Sequence, residues 1–365
     1  MIYLFMGLKV YARVKDGSLN IYSKNKSNCI VKIPTKVKNK SDSYKLNDIW
    51  QNSSSNQDIF NKLMLQCRYN NENYWIAFGY TGSGKSYTIT GLLACLLNFY
   101  RTHQHVTINA YQIYNEKIYD MLNNNKVLKV WKAKNLVIRG LKNIDITDSS
   151  KVIETIKERR VLASTELNSV SSRSHAVITI TSGNKRYILV DMAGQESGRT
   201  AMHHRNNMIK KQGTDINLNM LALKDCITHA KNNRRHIPYR RCLLTMAIKK
   251  MFDGTSNISF ICTLSMNQEK FYLNDTIKYA SALYNESDEE QHEKVKHDMT
   301  KEYTEYLTDV KYYQCQELSL FMEVKTGNFS RFPKVIEYID NQVSSMLHFK
   351  NKAEKYIETL PKIDT

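Results

Sequence analysis

One eight-residue segment, Gly79-Tyr80-Thr81-Gly82-Ser83-Gly84-Lys85-Ser86, constrains the fold of this chain more than any other. It fits G-x-x-x-x-G-K-[ST], follows the apolar run Tyr74–Phe78 and opens a helical stretch, Ser86–Tyr100. A strand that turns through glycines into a helix leaves backbone N–H groups converging at the helix N-terminus, where phosphate oxygens are stabilised. In that geometry the backbone of residues 79–86 cradles phosphates, Lys85 reaches the β- and γ-phosphates of a nucleotide and Ser86 ligates Mg2+.

The rest of the chain supplies the layers such a loop needs. Strands are expected over Leu8–Val14, Tyr74–Phe78, Val106–Tyr114, His175–Ser182, Tyr187–Asp191 and Ile258–Leu264, and the apolar N-terminal run Met1–Val10, which overlaps the first, reads as a buried strand. Helices are expected over Gln57–Leu65, Ser86–Tyr100, Lys151–Leu162, Ile216–Lys231 and Leu243–Phe252. This alternation predicts an α/β domain with a central, mostly parallel sheet flanked by helices, over residues 1–284. Residues 285–365 read as a charged linker and a helical C-terminal extension, whose two seams (Met299 to Tyr313, Ile336 to Leu360) are split by Arg331-Phe332-Pro333. The seven cysteines contain no Cys-x-x-Cys pair, so neither a disulfide framework nor a zinc site is expected. The apolar run Gly91–Tyr100 is too short to cross a bilayer, and no membrane partner is expected.

A second phosphate-site element is Tyr187-Ile-Leu-Val-Asp191, an apolar strand ending in an acid placed to hold the magnesium shell. Gly194, three residues on, offers its amide to the γ-phosphate. Guanine-nucleotide enzymes share these parts. The string Asn39-Lys-Ser-Asp42 fits their N-K-x-D signature, but it precedes the phosphate loop and reads as a Lys/Asn-rich loop.

The third element is more specific. Asn168-Ser-Val-Ser171-Ser172-Arg173-Ser-His175 resembles the kinesin switch I motif N-x-x-S-S-R-S-H, and Asp191-Met-Ala-Gly194-Gln-Glu196 resembles the switch II motif D-L-A-G-x-E. Gln112–Leu122, Ile216–Leu223, His236–Arg240 and Asp275–Ala280 are similar to further kinesin motifs in the same order. The chain thus resembles kinesin motor domains over about residues 7–284, which implies the P-loop NTPase kinesin-motor fold with ATP and Mg2+ as ligands. The resemblance further implies that Ser172 completes the Mg2+ coordination, that Asn168 and Ser171 seat switch I on the phosphate, and that an Arg173–Glu196 salt bridge joins the switches and orients the attacking water. The kinesin adenine-side R-x-R-P stands here as Arg13-Val-Lys15-Asp16. Arg13 packs on the base, with Tyr87 beside it, whereas Lys15 and Asp16 depart from the family pattern and weaken the pocket. Tyr80 replaces a common glutamine.

The chain carries a formal charge of +18, and residues 203–250 hold eleven basic and two acidic residues, half of that excess. Such a face is steered towards an acidic partner. With the switch motifs around it, that partner is expected to be the microtubule rather than nucleic acid, contacted through Lys210, Lys211, Lys231, Arg234, Arg235, Arg240 and Arg241. The resulting expectation is an ATP-driven microtubule motor of the cytoplasm and cytoskeleton. The alternatives are a nucleotide-gated microtubule-binding regulator that does not walk, and an unrelated P-loop enzyme. Beyond Ala280 the acids Glu286, Asp288, Glu289 and Glu290 favour solvent over a docked neck strand. The extension is expected to fold back or to hold an unknown cargo or partner rather than to form an autonomous dimer.

Overall fold

The structure is a computed structural model that describes residues 8–19, 21–24, 28–34, 41–67, 70–100, 105–132, 136–146, 148–162, 173–195, 207–232, 234, 236–284 and 344. The chain divides into two compact units, residues 1–285 and 286–365. The linker, the helical seams and residues 1–7 of the N-terminal run lie outside the described residues, as do Asn39 and Lys40.

The first unit opens with β1 (Leu8–Lys15), a small antiparallel sheet of β2 (Ile21–Lys24), β3 (Cys29–Pro34) and β4 (Ser41–Leu46), then β5 (Asp48–Trp50) and α1 (Asn56–Gln66). There follow β6 (Glu72–Gly79), α2 (Lys85–Phe99), β7 (Val106–Tyr114), β8 (Lys117–Asp120), β9 (Lys126–Lys132), β10 (Leu136–Arg139), β11 (Ile144–Asp145) and α3 (Ser149–Leu162). After β12 (His175–Ser182) and β13 (Lys185–Asp191) come α4 (Asn207–Lys231), α5 (Leu243–Ala247), β14 (Asn257–Ser265) and α6 (Lys270–Leu283).

Eleven strands form one sheet in the order β10-β9-β8-β7-β12-β13-β6-β14-β1-β5, with β11 on β7. The five strands from β13 to β5 run parallel, and an antiparallel meander extends the sheet beyond them. Both faces of the parallel part are covered, which is why its strands are apolar at successive positions rather than alternating. Ile76 and Phe78 of β6 face a cluster with Leu223 and Ile227 of α4, Leu244 of α5 and Ile277 of α6. Their neighbours Trp75 and Ala77 face the opposite cluster with Leu63 of α1, Leu92 of α2 and Ile156 of α3. The glycine-rich loop therefore sits at the C-terminal edge of the central strand, between neighbours β13 and β14, where open parallel sheets place their ligands.

Two expected elements differ. The helix expected over 243–252 is α5 followed by a separate 3-10 turn, Lys249–Phe252. The break falls at β-branched Ile248, and it buries Met251 and Phe252 in the core. The helix α4 begins nine residues before the expected Ile216.

Candidate nucleotide site

The loop after β6 is held by its neighbours as much as by itself. Gly79 has φ 147°, and a Cβ there would lie 2.4 Å from the backbone oxygen of Thr263 on β14, so only glycine fits between the two strands. Ser83 Oγ donates to Tyr80 O at 2.7 Å and lies 2.7 Å from Thr263 Oγ1. Gln195 N donates to Gly79 O at 3.0 Å, which ties the segment after β13 to the start of the loop. On the other side the Tyr80 ring stacks on Tyr272 of α6 with centroids 4.0 Å apart, and Gln268 Nε2 donates to Thr81 O at 2.8 Å. Gly84 caps α2 and Lys85 is its first residue. The Lys85 ammonium is buried and donates to Gly79 O at 3.1 Å and Tyr80 O at 2.8 Å. It is thus poised at the mouth of its own loop.

Beside the loop, a cavity of about 570 Å³ lies between α2 and α3. Ser86, Tyr87, Arg160 and Asp191 all line it. Asp191, the last residue of β13, pairs through Oδ2 with Arg160 Nη2 at 3.0 Å, both side chains being buried. Its other oxygen, Oδ1, is buried and has no hydrogen-bond partner among the described residues. Gly194 is buried three residues further on. Arg173 stands half-buried at the foot of β12, whereas Asn168, Ser171, Ser172 and Glu196 lie outside the described residues.

On the base side, Arg13 of β1 is buried against α1 and α2, with its guanidinium carbon 5.0 Å from the centroid of the Tyr87 ring. Burial lowers its pKa. Tyr87 is 67% exposed, so one side of this pair is open to the cavity. Lys15 points to Asp16, 3.7 Å away, and Asp16 takes a hydrogen bond from Ser265 Oγ at 3.2 Å.

Several residues of the site gave no isolated signal in the sequence. His175 closes the switch I motif. Its ring is fully buried, and burial, reinforced by the charges of Arg160 and Lys85, lowers its pKa to about 3. Its Nδ1 accepts from Ala193 N at 3.1 Å, and Nε2 faces the Asn219 carboxamide of α4 at 3.3 Å. A neutral imidazole thus joins the end of β13 to α4. Arg160 stands in the last turns of α3, among residues whose pattern marks only a helix.

The helix α4 and the segment from its C-terminus to Arg241 carry the basic face. Arg234, Arg240 and Arg241 are exposed, and so are Leu218 and Leu221 of α4, at 56% and 52%. Lys231 turns inward: its ammonium donates to Tyr284 O at 2.9 Å and to Leu283 O, at the C-terminus of α6. Arg241 pairs with Asp225 of α4. Lys250, not assigned to the site from sequence, pairs with Glu72 at 3.2 Å. The Lys210 and Lys211 side chains and Arg235 lie outside the described part of the chain.

The chain matches the kinesin motor domain family over residues 10–286. It belongs to that family. Among curated relatives, kinesin-like protein KIN-8B of Arabidopsis thaliana is 30% identical over 240 residues, covering 56% of this chain and 29% of the relative. Kinesin-like protein KIF24 of Homo sapiens is 31% identical over 268 residues, covering 65% of this chain and 19% of the relative. The matched stretch therefore spans less than a third of the length of either relative. Among solved structures, mutants of a kinesin motor ATPase superpose with a TM-score of 0.62 at 19% identity, covering 77% of this chain and 99% of theirs. A fast kinesin superposes at 0.61 with 23% identity, covering 77% and 92%. Kinesin motor domains are generally ATPases that bind nucleotide with Mg2+ and act with microtubules. The expected kinesin-motor fold is the one this chain adopts.

Proposed function

We propose that this kinesin motor domain is an ATP-hydrolysing, Mg2+-dependent microtubule motor of the cytoplasm and cytoskeleton. The observation that carries the reading is the link from phosphate loop to partner face. Lys85 and Asp191 sit at one end, and His175 joins the exit of Asp191's strand to α4, the helix with exposed leucines and the basic residues after it. A change in the phosphate end thereby has a direct contact through which to reach α4.

In this reading the amides of residues 79–86 hold the phosphates, and Lys85 exchanges its loop carbonyls for phosphate oxygens. Arg13 and Tyr87 flank the base. Ser86, Ser172 and Asp191 would hold Mg2+, and the buried Oδ1 of Asp191, without a hydrogen-bond partner among the described residues, lines the same cavity as exposed Ser86, an oxygen set suited to a hard cation and its waters. The ion, when bound, neutralises charge on the phosphate oxygens. Asn168 and Ser171 seat switch I, Gly194 offers its amide, and the pairing of Arg173 with Glu196 orients the attacking water. Little covalent work falls to the protein in phosphoryl transfer, so positioning and electrostatics carry the rate. Arg234, Arg240 and Arg241, together with Lys210, Lys211 and Arg235, face the acidic microtubule surface, and residues 285–365 offer a place for a cargo or other partner.

ATP turnover by the purified chain tests the assignment. Turnover is expected to rise on adding microtubules and to stay level with DNA or RNA, and stimulation by nucleic acid alone would overturn it. The acidic run from Glu286 to Glu290, where a docking neck strand would follow α6, favours a second reading as a nucleotide-gated binder that does not walk. A surface-gliding assay separates the two: moving microtubules support the motor, and ATP-dependent binding without movement supports the gate.

A further inference from the structure

The base-side arginine is not placed by its own strand alone. Arg13 Nη1 donates to Asn56 Oδ1 at 2.5 Å and to Thr88 Oγ1 at 2.9 Å. Thr88 Oγ1 spends its own proton on Gly84 O, at 2.8 Å, which leaves its lone pairs to the guanidinium. Asn56 is the first residue of α1, and its place is set by a capping box in which Ser55 Oγ accepts from Asp58 N at 3.1 Å and the Asp58 carboxylate accepts from Ser55 N at 2.8 Å. The Asn56 carboxamide then crosses to α2 and lies against Gly91.

Gly91 explains itself only through that contact. It stands inside α2, where alanine is the better helix former. A Cβ at this position would lie 1.9 Å from Asn56 Nδ2 and 2.3 Å from Cγ. Nothing but hydrogen leaves the carboxamide where it meets Arg13. Asn56 and Gly91 also line the cavity that holds Tyr87 and Ser86.

We propose that Asn56, with the space Gly91 leaves for it, is the positioning residue of the base-binding side of the site, fixing the Arg13 guanidinium against Tyr87 so that a purine base meets a preformed surface. This rests on the reading of the loop and cavity as a nucleotide site. The asparagine touches no reacting atom; it acts through Arg13. Its removal leaves a buried guanidinium short of an acceptor, free to turn towards the cavity and lose its alignment with the Tyr87 ring.

Calorimetric titration of the purified chain with MgADP and, separately, with magnesium tripolyphosphate tests this, because the second ligand has phosphates and no base. Asn56→Leu keeps the shape and removes the acceptor, and it is expected to weaken ADP about tenfold while changing tripolyphosphate less than about twofold. Gly91→Ala is expected to weaken ADP similarly, by driving the carboxamide off Arg13, with no fall in melting temperature. Asn56→Asp keeps an acceptor in place and is expected to recover most of the ADP affinity. Wild-type ADP affinity in Asn56→Leu, or equal losses for ADP and tripolyphosphate, would overturn the inference. A wild-type chain that binds neither ligand would overturn the nucleotide-site reading and this inference with it.

Discussion

The phosphate end and the basic face hold much of the positive charge the sequence singled out, and they hold it differently. At the phosphate end Lys85, Asp191 and Arg13 are buried and each is fixed by hydrogen bonds or an ion pair. Lys85 is held by its own loop, Asp191 by Arg160 of α3, Arg13 by Asn56 of α1 and Thr88 of α2. On the basic face, equal-looking charges divide. Arg234 and Arg240 stand exposed, whereas Lys231 caps α6 and Arg241 pairs with Asp225. A motif built on backbone geometry fixes where its side chains go. A high density of charge in one window does not.

The largest effect that would break the comparison is at the phosphate end. Lys85→Ala is expected to weaken ATP binding about 100-fold or more, since hydrogen bonds to charged groups are worth about 1.5–3 kcal/mol each and Lys85 has several to give. Fluorescence titration with an ATP analogue checks it, and unchanged affinity would mean that the loop is not a phosphate cradle. Next comes the buried pair: Arg160→Ala leaves Asp191 without its cation and is expected to cost about 3–5 kcal/mol of unfolding free energy in a denaturant titration. A cost under about 1 kcal/mol would place the pair with ordinary surface bridges.

The third effect sharpens the other half of the comparison. Reversing Arg234 and Arg240 to Glu is expected to weaken microtubule co-sedimentation about tenfold at low salt, and less as ionic strength shortens the screening length below about 10 Å. Lys231→Met, by contrast, is expected to spare that affinity and to lower the melting temperature, because Lys231 holds the end of α6. Equal losses of affinity from both changes would show that inward and outward cations are not distinct.

A fourth effect is one of pH. His175 has a folded pKa near 3, below its ordinary value of 6.5. The unfolded chain therefore takes up a proton at this residue that the folded chain refuses. The stability it contributes is fully present above about pH 6.5 and is lost as the pH falls towards 3, by about 1.4 kcal/mol per unit. Replacement by Gln is expected to flatten that part of the stability profile between pH 6 and 4, and an unchanged slope would mean that the ring is protonated in the fold.

The strands that frame the site were legible from their apolar runs, because a sheet covered on both faces demands them. The short strands β2 to β5 and β8 to β11 were not: most pair at the sheet edges or in a separate small sheet, β8 and β10 are part-exposed, and β5, though buried, has only three residues. Within the site, Lys85, Ser86 and Asp191 announced themselves by spacing. Asn56, Arg160 and Asn219 did not, since each acts on a residue remote in sequence: forty-three positions separate Asn56 from Arg13, and thirty-one separate Arg160 from Asp191.

What the sequence determined by itself was the alternation of strand and helix, the glycine-built loop and the order of the switch motifs. These are local, set by backbone freedom and by side-chain period along a few consecutive residues. The tertiary structure decided which cations face solvent, why Gly91 is glycine, and that His175 is a neutral strut between β13 and α4. Those outcomes depend on desolvation and on contacts between elements far apart in the chain, which no short stretch of sequence contains.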